Sequence, residues 1–182
     1  MGKVRSKLDD AATQFIQGQP MFFVASAPLA ADGHVNVSPK GLDSFRILDP
    51  ATVAYLDLIG SGVETIAHLK ENGRIVLMFC AFQGPPNILR LYGRGRVVES
   101  PAPEFYDLAA HFPEYASTRS IIMVSLDRVC DSCGYAVPLM KFETDRQQLS
   151  KWAQHKGPTG LKAYRAEKNR RSIDNLPGLN EP

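Results

Sequence analysis

Apolar and polar positions in this chain follow the two-residue period of strands more often than the period of helices. Runs bounded by Gly, Pro and Asp-Gly turns predict strands at 21–27, 34–38, 45–48, 52–58, 74–82, 88–99 and 120–129. Helical spacing predicts helices at 6–17 with Ser6 as N-cap, at 61–72, around 101–112, and in a polar segment from about Asp145.

Turns rather than helices join most of these strands, which excludes a doubly wound parallel sheet. The order of elements predicts a mainly β fold with peripheral α-helices, arranged as an antiparallel barrel or sandwich. No repeat, linker or low-complexity segment interrupts the 182 residues. One domain over 1–182, ending in a helical segment from about 145, is therefore expected.

The stretch HVNVSPKGLD, at 34–43, predicts a strand with two chemically different faces. Val35 and Val37 lie on one face, while Asn36, Ser38 and Lys40 lie on the other. Burial of the valines would turn an amide, a hydroxyl and an ammonium group toward a ligand. A surface lysine in a turn is the alternative for Lys40, because Pro39 and Gly41 flank it.

The stretch GSGVET, at 60–65, predicts the start of a helix. Ser61 and Glu64 have the spacing of a capping box, and Gly60 and Gly62 would let a ligand approach the backbone. A helix N-terminus offers free N–H groups and partial positive charge, so together with Lys40 it would suit a phosphate monoester. A purely structural cap is the alternative.

Net charge, apolar runs and cysteine count limit the binding partners and the cellular location that we expect for this chain. The formal charge of +2 gives no reason to expect binding to nucleic acid or membrane. No apolar run reaches the roughly 18 residues of a membrane span, and the first ten residues contain no apolar signal region. Three cysteines cannot all pair, so we expect a reducing, cytoplasmic location.

Other motifs have simpler interpretations. Cys130 and Cys133 form a single C-x-x-C without a second metal-ligand pair, which favours two reduced cysteines near a loop over zinc or redox chemistry, and Cys80 is predicted to be buried. His68 is expected to be exposed or half-buried on its helix. Arg94 and Arg96 could belong to an RNA-binding strand, but the near-zero net charge favours solvated arginines on a barrel strand.

The chain contains four characteristic blocks in order, which are HVNVSPKGLDSFRILD, VAYLDLIGSGVETIAHLKENGRIVLMFCAF, PPNILRLYGRGRVVE and SCGYAVP. Together, these blocks resemble the pyridoxamine 5′-phosphate oxidase-like flavoproteins. The resemblance runs from about Phe15 to the terminal SIDNLP. It implies an FMN-binding split barrel, a homodimer with FMN between the subunits, a small-molecule substrate and oxidoreductase activity.

The resemblance also implies which residues contact FMN. They are Asn36, Val37, Ser38 and Lys40 on a strand that contacts FMN, Ser61, Gly62 and Thr65 in the stretch that holds the phosphate, Arg90 near the ring, and Cys133 and Tyr135 in a segment, 132–138, given by the partner subunit. The oxidases have an Arg-Lys pair where this chain has Gly62-Val63-Glu64-Thr65, which removes two positive charges. His68 is a further candidate near the phosphate.

The substrate stays open, and no catalytic residue or metal ligand is assigned. The oxidases end in a substrate-binding Arg-x-His segment, whereas this chain has KNRRSIDNLP. Alternatives are a split barrel that binds a deazaflavin or haem, and a non-catalytic flavin-binding module.

Overall fold

A computed structural model describes residues 2–180 of the chain. Its elements, in chain order, are β1 Val4–Arg5, α1 Asp10–Gln17, β2 Phe22–Ser26, β3 Asn36–Lys40, β4 Phe45–Asp49, β5 Thr52–Leu58, α2 Glu64–Asn72, β6 Arg74–Cys80, β7 Ile88–Glu99, α3 Pro103–Ala109, β8 Thr118–Ser132 and α4 Gln148–Lys168. Met1, Glu181 and Pro182, which the single-domain prediction includes, lie outside the described residues.

The strands pair antiparallel in one sheet with the order β3-β2-β6-β7-β8-β5-β4, and β1 pairs with β8. The sheet curls around its core, because the rings of Phe22 on β2 and Phe45 on β4 lie 5.2 Å apart although four strands separate them in the sheet. The edge strands β3 and β4 do not pair with each other. The predicted antiparallel fold is confirmed, and it is a split β-barrel.

Glycines in β7 let α2 and β8 approach closely. A Cβ on Gly95 would lie 2.8 Å from Leu69 Cδ2 on α2, and one on Gly93 would overlap the carbonyl of Ser125 on β8. The close neighbours at both glycines are protein atoms. Gly73, in the left-handed conformation at φ 72°, ends α2 as predicted.

The first helix begins later than predicted. Val4 and Arg5 pair with Cys130 and Val129 of β8, and the residues after them, Ser6 and Lys7, form a bend rather than a first helical turn. Asp9 replaces Ser6 as the N-cap, and its side chain accepts a hydrogen bond from the Ala12 N–H at 2.9 Å.

The two faces of β3 are reversed relative to the prediction. Val35 and Val37 are 70% and 62% exposed, whereas the polar residues face inward. The reason is the register, since Ser38 pairs with Val24, whose side chain is fully buried. Residues directly opposite on paired strands share a face of the sheet.

Within residues 2–180, no helix is both long and apolar enough to cross a membrane.

Candidate functional site

The polar face of β3 lies against the first turn of α2. The Asn36 side-chain amide donates to Thr65 Oγ1 at 3.0 Å, and Ser38 Oγ donates to Asn36 Oδ1 at 3.3 Å. These three predicted site residues therefore form one hydrogen-bonded group. Lys40 lies two residues after Ser38 on β3 and therefore points to the same face of the strand.

Lys40 belongs to a buried cluster of charged groups that crosses the split of the barrel. Its Nζ lies 2.9 Å from Oδ1 of Asp57, which is fully buried on β5. Oδ2 of Asp57 accepts from Arg119 Nε at 2.7 Å and from Ser120 Oγ at 3.4 Å. The cluster joins edge strand β3 to β5 and carries a net charge of one positive unit.

Arg119 also fixes the turn before α2. Its Nη1 donates to the carbonyls of Gly60 at 3.3 Å and Gly62 at 2.8 Å, and the Asn169 amide donates to Gly60 at 3.0 Å. Because side chains from distant parts of the chain bind these carbonyls, the turn keeps a non-helical shape through Gly62.

The predicted capping box is consequently wrong. Helix α2 begins at Glu64, and Val63 occupies the N-cap position without a side-chain hydrogen bond to the helix. Glu64 Oε1 instead accepts from the Ile173 N–H at 3.3 Å, and its Oε2 lies over Gly62, where a Cβ would overlap it.

A cavity of about 480 Å³ opens where β3, this turn and the C-terminal segment meet. Its lining comes from those three regions and consists of His34, Val35 and Asn36, then Ser61, Gly62 and Glu64, then Arg171, Ser172 and Ile173. The volume lies in the range of small-molecule sites. Three predicted site residues, Asn36, Ser61 and Gly62, line this cavity.

The cavity residues fit a phosphate monoester. An amide, hydroxyl groups and a guanidinium supply hydrogen-bond donors that phosphate oxygens accept, and Gly62 has no side chain to fill the space. Glu64 is the acidic residue among the lining side chains, and it opposes an anion.

The remaining predicted residues lie elsewhere in the same chain. Val37 points to the opposite face of β3. Arg90 is on the face of the sheet that points away from the core, three paired strands from β3, and its Nη1 donates to Ser132 Oγ at 2.8 Å. Cys133 and Tyr135 follow the far end of β8, roughly 45 Å along that strand from its start beside β5. One chain does not bring these four side chains to the cavity.

Two further predictions concern histidine and arginine side chains. His68 is fully buried rather than exposed, with Nδ1 3.0 Å from Ser26 Oγ, and burial lowers its pKa. Arg96 pairs with Glu104, and Arg94 donates to the Asn72 carbonyl at 2.9 Å, so both arginines have protein partners.

The cysteines differ in exposure. Cys80 is buried as predicted, while Cys133 is exposed.

Several residues of the site were missed from the sequence. Asp57 is a single acid inside the apolar strand TVAYLDL, and that position was a usable signal because a buried carboxylate needs a cationic partner. No comparable sequence pattern marked Arg119, His34 or Arg171 as site residues. Their roles depend on contacts between residues far apart in sequence.

The buried cluster predicts a specific loss of stability in acid. Burial by itself would raise the pKa of Asp57, but Lys40 and Arg119 outweigh it and lower the pKa to about 2 from its ordinary 3.8. The unfolded chain therefore binds a proton at higher pH than the folded chain. The stabilisation is complete above pH 3.8 and is lost as the pH falls toward 2, by about 2 kcal/mol.

Urea unfolding of the wild type and Asp57→Asn at pH 5 and pH 2.5 measures this contribution. We expect the stability difference between the two proteins to shrink at the lower pH. An equal difference at both values would contradict the assignment.

Comparisons with known proteins agree with this architecture. Residues 8–133 match the family model described as pyridoxamine 5′-phosphate oxidase. The chain is 40% identical over 189 aligned residues to ustO of Aspergillus flavus, named a pyridoxamine 5′-phosphate oxidase family protein, covering 94% of this chain and 76% of that protein.

Two solved structures share the fold at 19% identity. A provisionally named pyridoxamine 5′-phosphate oxidase from Lactobacillus delbrueckii aligns with a TM-score of 0.53 over 69% of this chain and 94% of its own. HupZ of Group A Streptococcus aligns with a TM-score of 0.52 over 67% of this chain and 91% of its own.

Proposed function

This chain belongs to the pyridoxamine 5′-phosphate oxidase family, and on that premise we propose that it is an FMN-dependent oxidoreductase acting on a small molecule. The observation that carries the proposal is the cavity where the polar face of β3 meets the turn before α2. Its donors fit the phosphate of a flavin mononucleotide. When bound, FMN would supply hydride acceptance at its ring.

The residues around the cavity would bind and orient the flavin. Asn36 and Ser61 would donate to phosphate oxygens, while Ser38 and Thr65 hold the Asn36 amide in place through the hydrogen bonds described above. Lys40 would add positive charge from behind this layer, because its ion pair with Asp57 occupies only one direction of its ammonium group. We assign no catalytic acid or base.

We also propose that two copies associate and that the flavin lies between them. Two rows of paired residues form the outer face of the sheet, and most of their members are apolar. They are Val37, Ala25, Val76, Tyr92 and Arg128 in one row, and Pro39, Phe23, Met78, Arg90 and Cys130 in the other. We call this surface the outer face.

The exposure of apolar side chains on the outer face supports the association of two copies. Val37 is 62% exposed and Tyr92 36% exposed, and contiguous apolar surface of this kind usually marks an interface. Arg90 lies on the same face, and Tyr135 is 83% exposed at the end of β8. In the proposed dimer, Arg90 and Tyr135 of one copy would complete the flavin site of the other.

The test of the cofactor is an absorption and fluorescence titration of the purified protein. We expect FMN to bind with quenched fluorescence and a shifted two-band flavin spectrum, and to stay bound after removal of the excess. Deazaflavin and haemin serve as competitors. Tight binding of haemin with a Soret band, or of the deazaflavin, in preference to FMN would contradict the proposal and favour the corresponding alternative.

A further inference from the structure

The C-terminal residues beyond the family match form a hairpin against the cavity. The Gly178 N–H donates to the Arg170 carbonyl at 2.8 Å, and the Ser172 N–H donates to the Leu176 carbonyl at 3.0 Å. Leu179 is buried in the main core and anchors the base of the hairpin. The segment 170–178 is therefore held in one conformation, although it lies outside residues 8–133.

The tip of this hairpin is tied to both sides of the cavity. Asp174 accepts from the His34 N–H at 2.8 Å and lies 2.6 Å from His34 Nδ1, next to β3. The Ile173 N–H donates to Glu64 at the start of α2. These contacts fix the position of Arg171, whose Nη1 donates to the Asn175 carbonyl at 2.8 Å.

Among the described side chains that line the cavity, one permanent cation is left to contact a phosphate. Lys40 is paired with Asp57 and is not among the lining residues, and His34 is paired with Asp174. Of the described residues that line the cavity, Arg171 alone carries a permanent positive charge. On the other side of the cavity, the turn at Gly62 contributes no cationic side chain.

We infer that Arg171 binds the flavin phosphate, in place of the cationic pair that this chain lacks before α2. The inference rests on the proposed function and deepens it. A guanidinium can donate two parallel hydrogen bonds to a phosphate, and the hairpin holds it at the cavity wall before the ligand arrives. Specificity for the phosphorylated flavin would then come from the C-terminal hairpin.

The test compares FMN with riboflavin, which has the same ring system without the phosphate. Dissociation constants are measured by flavin fluorescence for the wild type, Arg171→Ala and Arg171→Gln. Arg170→Ala is the matched control, because Arg170 is the neighbouring exposed arginine and does not line the cavity. Urea unfolding establishes that each variant is folded.

We expect the wild type to bind FMN at least about tenfold more tightly than riboflavin, as loss of charged hydrogen bonds costs about 10- to 100-fold. Both Arg171 variants should lose most of that preference while their riboflavin affinity is unchanged. Arg170→Ala should keep the preference. Glu64→Gln, which removes the opposing charge, should strengthen FMN binding a few-fold.

Two results would overturn the inference and leave the proposed function intact. One is an FMN preference that persists in both Arg171 variants, and the other is an equal loss in Arg170→Ala. Failure of the wild type to bind either flavin would instead overturn the proposed function and the inference together.

Discussion

Replacement of Asp57 by alanine is expected to destabilise the folded chain by about 3–5 kcal/mol, which is the typical cost of breaking a buried ion pair. Asp57 is fully buried, and its two oxygens hold Lys40 at 2.9 Å and Arg119 at 2.7 Å. Without the carboxylate, two positive charges remain in an interior where only 19% of the Lys40 side chain and 6% of Arg119 are exposed. Urea unfolding at pH 7 measures the loss.

The matched control is Asp43→Ala. Asp43 also pairs with an arginine, Arg46, but its side chain is 61% exposed, so we expect a change within about 1 kcal/mol. Asp57→Asn keeps the shape and should lose less stability than Asp57→Ala. A loss in Asp57→Ala no larger than that of Asp43→Ala would show that the cluster does not stabilise the split barrel.

Substitution of Asp57 should weaken flavin binding as well as lower the free energy of unfolding. Arg119 joins Asp57 to the carbonyls of Gly60 and Gly62, so release of its guanidinium would loosen the turn at the cavity. We therefore expect Asp57→Asn, measured where it is fully folded, to bind FMN more weakly than the wild type.

Replacement of Val37 by glutamate is expected to dissociate the proposed dimer, with a change of at least about 100-fold in its dissociation constant. Val37 stands 62% exposed on edge strand β3, at the border of the outer face, beside Ala25 on the paired strand. An unpaired carboxylate buried there by a second copy would cost several kcal/mol. Sedimentation equilibrium over a concentration series measures the change.

Tyr106→Glu is the control for this substitution. Tyr106 is a similarly exposed apolar residue, at 57%, but it lies on α3 and not on the outer face. We expect it to leave the association unchanged. A wild type that is monomeric at tens of micromolar, or a Val37→Glu variant that associates as the wild type does, would contradict the proposed interface.

The same variant tests whether the flavin site needs two copies. Val37 points away from the cavity of its own chain, so its substitution should alter FMN affinity only through the loss of the partner. Weakened FMN binding in Val37→Glu, together with unchanged binding in Tyr106→Glu, is the expected result.

Local sequence pattern was sufficient for most of the fold. Alternation and turn residues gave the bounds of β5 and β7 as the structure has them, and Gly73 ended α2 as predicted. These features depend on residues adjacent in sequence, whose backbone preferences act over a few positions. The single-domain organisation stays a prediction.

Long-range contacts explain what local pattern missed. Pairing with β8 prevents a helix at Ser6, and Arg119 binds the turn that local spacing had assigned to a capping box. Alternation separated the two faces of β3 but could not tell which face turns inward, because the register with β2 sets that choice. Arg171 reaches the cavity only through the C-terminal hairpin. Each depends on chain segments that meet on folding, whose positions are not encoded in any short stretch of residues.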